Sequence, residues 1–405
     1  MNIDEKVKYL MQGTEYGDQH MAQAMATELK DRLIEAEQYG RPLKIYCGYD
    51  PRTTDLHIGH TVTMRKLRQF QELGHEVIFV IGTYTSLIGD PSDKDKLRPQ
   101  LSPDEVIENA RTYAEQAYRV LDREKTIIRY NAEWLSQLTF ADLIKLASNF
   151  TIQQFLTREN FRNRWDKSEP IHLHELFYSL MQGYDAHILE TDIQVGGTDQ
   201  LFNIMTASRK IMSFYGQKPN IGIILDILPG TDGEVKMSKS LGNHIPLNTT
   251  PEDMFGKVMS IPDKAMPQYA KLATSWQTDT VNEFCETLIK GTIHPRDAKM
   301  KLAYEIVSIF YSQGEADQAK EHFITLFQKG DIPEDIPIYQ LEQSKLLLDV
   351  LIEFGLIDSK NQGRRLIEQN GIKVDGVIIN DVTTEITSEA LIQVGKRKFL
   401  KVVKA

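Results

Sequence analysis

The chain has 405 residues, 41% of them hydrophobic and 26% charged, enough for two or three domains around one sizeable core. No run approaches the length of a membrane span, and Met1-Asn2-Ile3-Asp4-Glu5-Lys6 lacks the basic-then-apolar order of a secretory signal, so a cytoplasmic protein without a membrane partner is expected. The net charge of -10 argues against a generic polyanion binder, and two isolated cysteines, Cys47 and Cys285, exclude a disulfide framework or a zinc site of the usual spacing.

Residues 1–40 read as amphipathic helix, with Leu29, Leu33 and Ile34 at helical spacing and a stop at Gly40. Lys44 to Tyr49 is a short apolar run halted by Asp50-Pro51, as expected of a buried strand. Gly59 to Leu73 follows as a helix with Val62, Met64, Leu67, Phe70 and Leu73 near one face, and Val77 to Ile81 is a second buried strand. A strand-helix-strand unit of this kind implies a parallel sheet built from right-handed crossovers. Residues 103–122 and 139–157 read as helical, 171–190 as helix-rich, and Ile193 to Val195 and Ile221 to Leu228 as further strands. From Thr250 to about Lys329 the pattern is helical, Gly330 to Pro337 reads as a linker, and the remainder is a small module of helices and then short strands with a turn at Asp375-Gly376. From Ser359 to Ala405 nine Lys and Arg face five Asp and Glu, a local +4 on a body of -14 that suggests contact with nucleic acid.

Two short words carry the chemistry. His57-Ile58-Gly59-His60 lies where a strand has ended and a helix begins, so unpaired backbone N–H groups and the positive end of a helix dipole meet there, a setting suited to polyphosphate. The two histidines, one turn apart, can add hydrogen bonds to phosphate oxygens, and Gly59 lets a nucleotide approach the backbone. Lys236-Met237-Ser238-Lys239-Ser240 puts two point charges and two hydroxyls on a polar loop beyond the last strand. Such a loop suits stabilising a transition state in which pyrophosphate leaves an attacked phosphate. A given tetrapeptide occurs by chance in roughly one chain of this length in several hundred, and a given pentapeptide far more rarely.

A third motif, Tyr178, Gln182 and Asp185, has polar tips four and three residues apart, so all three project from one helix face. Gly196-Gly197 at a strand end, with Asp199 after it, has the two-part logic of many ribose sites.

The two words, in this order, resemble the signature of the class I aminoacyl-tRNA synthetases. Leu43 to Pro51, Gly89-Asp90-Pro91-Ser92, Tyr178 to Asp185 and Val195 to Gln200 narrow the resemblance to the tyrosyl-tRNA synthetase family, while Gln362 to Gly376 resembles its C-terminal S4 RNA-binding domain. Tryptophanyl-tRNA synthetases share the catalytic words but generally lack this tail, which favours tyrosine. The resemblance implies an α/β fold. It places a Rossmann-like parallel-sheet catalytic domain at 1–245, an α-helical anticodon-binding domain at 246–330, a linker at 331–340 and an S4-like α+β RNA-binding domain at 341–405.

It also implies roles. Tyr46 and Asp185 would grip the phenol hydroxyl of L-tyrosine, Tyr178, Gln182 and Asp90 its ammonium, and Gln200 would lie near its carboxylate. A phenylalanine there would leave a buried donor and acceptor unpaired. Asp50, Gly59, Gly197, Asp199 and Ser240 would hold ATP, with Lys94 and Arg98 reaching its pyrophosphate and His57, His60, Lys236 and Lys239 stabilising the transition state. Mg2+ is expected with ATP, with no metal ligand assigned among the residues. Arg364 and Arg365 would face phosphates of tRNA(Tyr), and the family works as a homodimer with one tRNA reaching across subunits. Two positions depart from the family pattern: Arg52, where threonine is common, and Asp93, where glycine is common.

Overall fold

A computed structural model describes residues 1–52, 55–91, 101–327, 336–341, 344–375, 377–395 and 398–404, without the side chains of 240, 326, 327 and 404. The chain folds as two compact units, Met1–Ala316 and Asp317–Ala405.

In the first unit, β1 (Lys44–Tyr49), β2 (Glu76–Ile81), β3 (Thr126–Tyr130), β4 (Ile193–Gly197) and β5 (Ile221–Leu225) form a wholly parallel sheet in the order β3-β2-β1-β4-β5. β2 and β5 are continuous apolar runs because both of their faces are covered: Val77, Phe79, Val80 and Ile81 are fully buried, as are Ile221, Ile223 and Ile224. Strand order reverses between β1 and β4. Connections leave the sheet in opposite directions there, and a crevice opens beyond the carboxyl ends of these strands.

Four helices matter most for the site: α1 (Ile3–Met11), α2 (Gln19–Tyr39), α3 (Ile58–Glu72) and α4 (Leu173–Leu189). The single helix expected over 1–40 is two helices, α1 and α2. Gly13 and Gly17, both at positive φ, break it so that the intervening residues can dress the edge of β5, where Glu15 N–H donates to Ile224 O (2.8 Å) and the Tyr16 hydroxyl to Gly222 O (2.7 Å). An otherwise open sheet edge is thereby capped. Leu29 and Leu33 are buried as expected, whereas Ile34 is exposed. Asp192 locks the start of the sheet by accepting from Arg32 Nη1 (2.8 Å), Arg41 Nη1 (2.8 Å) and Lys44 N–H (3.0 Å). Arg32 and Asp192 are both buried, so removing either partner would cost about 3–5 kcal/mol.

The stretches read as helical at 103–122 and 139–157 are each broken, into Pro103–Ala110 and Tyr113–Ala117, and into Phe140–Ala147 and Ile152–Phe155. Between them lies β3, which the sequence reading left out, and β5 stops at Leu225 rather than Leu228. Five helices follow at Pro251–Met259, Met266–Ala273, Thr278–Ile289, Pro295–Phe310 and Gln313–Phe327, with no strand among the described residues between 250 and 327.

The second unit pairs helices Leu347–Glu353 and Lys360–Glu368 with a five-stranded mixed sheet, ordered Ile338–Leu341, Lys398–Lys404, Ala390–Val394, Ile372–Val374, Val377–Ile378. Its core is built from Leu347, Leu351, Ile392, Leu400 and Val402, among others. Asp375 of the expected turn has a left-handed φ of 49°; Gly376 lies outside the described residues.

Candidate active site

A cavity of about 560 Å³ occupies the crevice at the strand ends. The end of β1 supplies Tyr46 and Asp50, the start of α3 His57, Gly59 and His60, and the loop after β2 Asp90. Helix α4 supplies Tyr178, Gln182 and Asp185, the end of β4 Gly197, Asp199 and Gln200, and the loop after β5 Lys236 and Lys239. These residues, scattered over nearly 200 positions, all line one space. Lys94, Arg98 and Asp93 lie outside the described residues, as does the side chain of Ser240. Arg364 and Arg365 are exposed on helix Lys360–Glu368 of the second unit.

The buried part of the cavity is polar by design of its neighbours. Tyr46 is 1% exposed, and its hydroxyl donates to Gln182 O (3.2 Å). Asp185, also buried, accepts from Trp134 Nε1 (2.7 Å) and Asn131 Nδ2 (3.3 Å). Asn131 Nδ2 also donates to Thr85 Oγ1 (3.1 Å), Thr85 donates to Asp50 Oδ1 (2.7 Å), and the Tyr178 hydroxyl donates to Asp50 Oδ2 (3.1 Å). Burial pushes Asp185 up from 3.8 to about 7, against the lowering pull of Trp134 and Asn131. Burial likewise raises Asp50 to about 6. Gln182 Oε1 is buried with no hydrogen-bond partner among the described residues, an acceptor matched to a ligand donor. Trp134, Asn131 and Thr85 escaped the sequence reading. Asn131 follows the missed strand β3 directly, so locating that strand would have placed both Asn131 and Trp134 at the sheet's carboxyl edge.

The more exposed part carries the two words, and they are physically joined. Ile58 N–H donates to Ile245 O (3.0 Å) and Leu247 N–H to Leu56 O (2.9 Å), so the chain just past the lysine loop pairs with the start of α3. His57 N–H donates to His60 Nδ1 (3.2 Å), which leaves the His60 proton on Nε2. Burial holds His60 down at about 4 and His57 well below its ordinary value, so both rings are neutral at pH 7. Neutral imidazoles donate N–H bonds; formal positive charge comes from elsewhere. Lys236 Nζ lies 2.6 Å from Asp199 Oδ2 and Lys239 Nζ 2.6 Å from Asp55 Oδ2, both lysines being partly exposed. Asn243 fixes the loop between them, accepting from Ser238 N–H (2.8 Å) and donating to Asp232 Oδ2 (2.5 Å). Gly59 is a matter of space: a Cβ there would stand 2.9 Å from His57 Nδ1. The departure Arg52 lines the same cavity and donates from Nη1 to Ser86 O (3.0 Å), its guanidinium lying against Gly89.

Residues 37–328 match the family model for tRNA synthetases class I (W and Y), and residues 328–401 match the tyrosine–tRNA ligase SYY-like C-terminal domain. The chain is 45% identical over 377 residues to the tyrosine–tRNA ligase of Thermotoga maritima, covering 93% of each chain. It is 46% identical over 385 residues to that of Carboxydothermus hydrogenoformans, again with 93% of each covered. Among solved structures, the tyrosyl-tRNA synthetase of Archaeoglobus fulgidus, crystallised with L-tyrosine, superposes with a TM-score of 0.60 at 23% identity, over 79% of this chain and all of that one. At that identity the likeness is one of fold, and the tryptophanyl-tRNA synthetase of Encephalitozoon cuniculi shares it, at TM-score 0.56, 14% identity and coverage of 79% and 96%. The family model over most of the chain and the near full-length relatives together place this chain in the class I tRNA synthetase family (W and Y), within its tyrosine–tRNA ligase branch.

Proposed function

We propose that this chain activates L-tyrosine with ATP and then transfers it to the 3′-terminal adenosine of tRNA(Tyr). The observation that carries the choice of amino acid is the Tyr46 hydroxyl and the Asp185 carboxylate, both buried on the wall of the cavity that also holds the histidine and lysine words. A phenol hydroxyl that donates to Asp185 and accepts from Tyr46 adds a bond to each, whereas an apolar ring seals the carboxylate from water and adds none.

In the first step a tyrosine carboxylate oxygen attacks the α-phosphorus in line. The bond from α-phosphorus to the bridging oxygen breaks, and pyrophosphate leaves with the electron pair. His57 and His60 offer neutral N–H donors to phosphate oxygens, and Lys236 and Lys239 exchange their carboxylate partners Asp199 and Asp55 for the charge developing on the leaving group. Asp199, freed of Lys236, can accept from the ribose at Gly197. In the second step a terminal ribose hydroxyl of the tRNA attacks the adenylate carbonyl and AMP departs. The site works by positioning and charge rather than through a protein nucleophile. Mg2+ enters as part of the MgATP substrate.

Residues 246–330 serve, on this reading, as the anticodon-binding domain, with 331–340 as linker and 341–405 as an RNA-binding module that presents Arg364 and Arg365 to tRNA phosphates. A homodimer is proposed on the large apolar side chains exposed along neighbouring helices of the first unit: Phe140, Ile144, Ile152, Trp165 and Leu173 are between 51% and 78% exposed. No described helix is long and apolar enough to cross a membrane, and a cytoplasmic location is proposed with the substrates. The test is ATP–pyrophosphate exchange with each amino acid in turn. Exchange should depend on tyrosine, and exchange driven instead by tryptophan would overturn the assignment.

A further inference from the structure

Behind the cavity wall, five side chains form one directed hydrogen-bond chain. Arg158 Nη1 donates to Ser179 Oγ (3.0 Å), Ser179 Oγ to Asn203 Oδ1 (2.7 Å), Asn203 Nδ2 to Gln200 Oε1 (2.9 Å) and Gln200 Nε2 to Asp90 Oδ2 (2.5 Å). Arg158 precedes helix Glu159–Asp166, Ser179 lies on α4, Asn203 opens the π-helical turn Asn203–Ser208, Gln200 ends the turn after β4, and Asp90 follows β2. The chain thus ties two cavity-lining side chains, Gln200 and Asp90, to three that do not line it. Asn203 and Ser179 are fully buried and Arg158 is 6% exposed, while Gln200 and Asp90 line the cavity itself.

The two ends decide the polarity of everything between them. A guanidinium can only donate and a carboxylate only accept. Were the Asn203 amide reversed, its oxygen would meet Gln200, whose own amide would have to turn and set oxygen against Asp90. With Arg158 and Asp90 in place, both amides have one acceptable orientation. We propose that Asn203, backed by Ser179 and Arg158, is a positioning residue that locks the Gln200 amide with its nitrogen toward Asp90, so that the second Gln200 N–H is offered to the α-carboxylate of the amino acid substrate. A donor fixed in advance costs no reorganisation when the anionic oxygen arrives.

The proposal rests on the amino acid activation reading above, and its test is separable from it because every candidate amino acid carries an α-carboxylate. Asn203→Ala and Ser179→Ala are compared with the unmodified protein in pyrophosphate exchange, with tyramine, which lacks the carboxylate, as competitive inhibitor and Tm as a measure of folding. Both variants should raise KM for tyrosine about tenfold, the loss of one hydrogen bond's orientation, while KM for ATP and Ki for tyramine stay within about twofold. If the unmodified protein activates another amino acid, that reading fails and the same comparison is made with that amino acid and its decarboxylated amine. An unchanged amino acid KM overturns the relay, as does equal weakening of amino acid and amine, which would mean general disruption. Should Asn203→Ala not fold, Ser179→Ala alone decides by the same criteria.

Discussion

Replacing Asp185 by asparagine removes the ionisable acceptor from the proposed phenol site with almost no change in volume. The aspartate accepts at Oδ1 from Trp134 and at Oδ2 from Asn131 Nδ2. An asparagine can keep one of these bonds, but its own N–H2 then faces a donor, either the indole or the Asn131 amide. The variant therefore loses the charge-assisted bond to the substrate hydroxyl and presents a misdirected amide in its place. A hydrogen bond to a charged group contributes about 1.5–3 kcal/mol, so kcat/KM for tyrosine should fall roughly tenfold to 150-fold. Little should change for phenylalanine, which has no hydroxyl to lose. The pH dependence supplies a second reading. Asp185 rises from 3.8 when unfolded to about 7 when folded, so the folded state holds the extra proton between these values. The stability this gives is complete below about pH 4 and is lost as pH climbs through about 7. Tyrosine needs the ionised form as acceptor, so its KM should drop between pH 6 and 8. Both the stability slope and the KM slope should flatten in Asp185→Asn. The assay is tyrosine-dependent pyrophosphate exchange from pH 6 to 8, with thermal unfolding over the same range. Tyrosine kcat/KM within about threefold of the parent, with the pH slope intact, would refute the role given to this carboxylate.

Other outcomes follow from the same geometry. Lys236→Ala should lower kcat for pyrophosphate exchange by about 10²–10³, with KM for tyrosine unchanged, since the lysine acts on charge that appears only in the transition state. Stopped-flow measurement of adenylate formation reads this directly. Gly59→Ala places a Cβ 2.9 Å from His57 Nδ1 and must displace that ring, so kcat/KM for ATP should fall roughly tenfold or more at steady tyrosine KM. Phe140→Asp, at the most exposed of the five apolar positions, should shift sedimentation from dimer to monomer; an unchanged sedimentation coefficient would remove this face from the interface.

Legibility from sequence followed the reach of local pattern. β1, α3 and β2 are read within a residue or two because unbroken apolar runs and a 3.6-residue stripe are local signals. β3 escaped because Thr126-Ile127-Ile128-Arg129-Tyr130 is a short edge strand with Ile127 and Tyr130 exposed, so it shows neither a buried run nor alternation. The division of the N-terminal helix depends on residues 14–16 meeting β5 more than 200 positions later, which no window detects. The same limit applies to the site. Tyr178, Gln182 and Asp185 share a face by their spacing, but Trp134 and Asn131, which orient Asp185, and Asn203, which orients Gln200, act across the fold or through a turn whose geometry is set by packing. The place of His57 and His60 at the start of α3 was legible. Their neutrality was not, because it arises from burial.

The central claim is that Tyr46 and Asp185 read the phenol hydroxyl. A crystal structure with bound tyrosine or a nonhydrolysable tyrosyl-adenylate analogue tests it most directly. The hydroxyl should lie about 2.6–3.0 Å from both Tyr46 Oη and an Asp185 carboxylate oxygen. A ring whose hydroxyl points away from this pair would contradict the account even with the fold and the phosphate site intact.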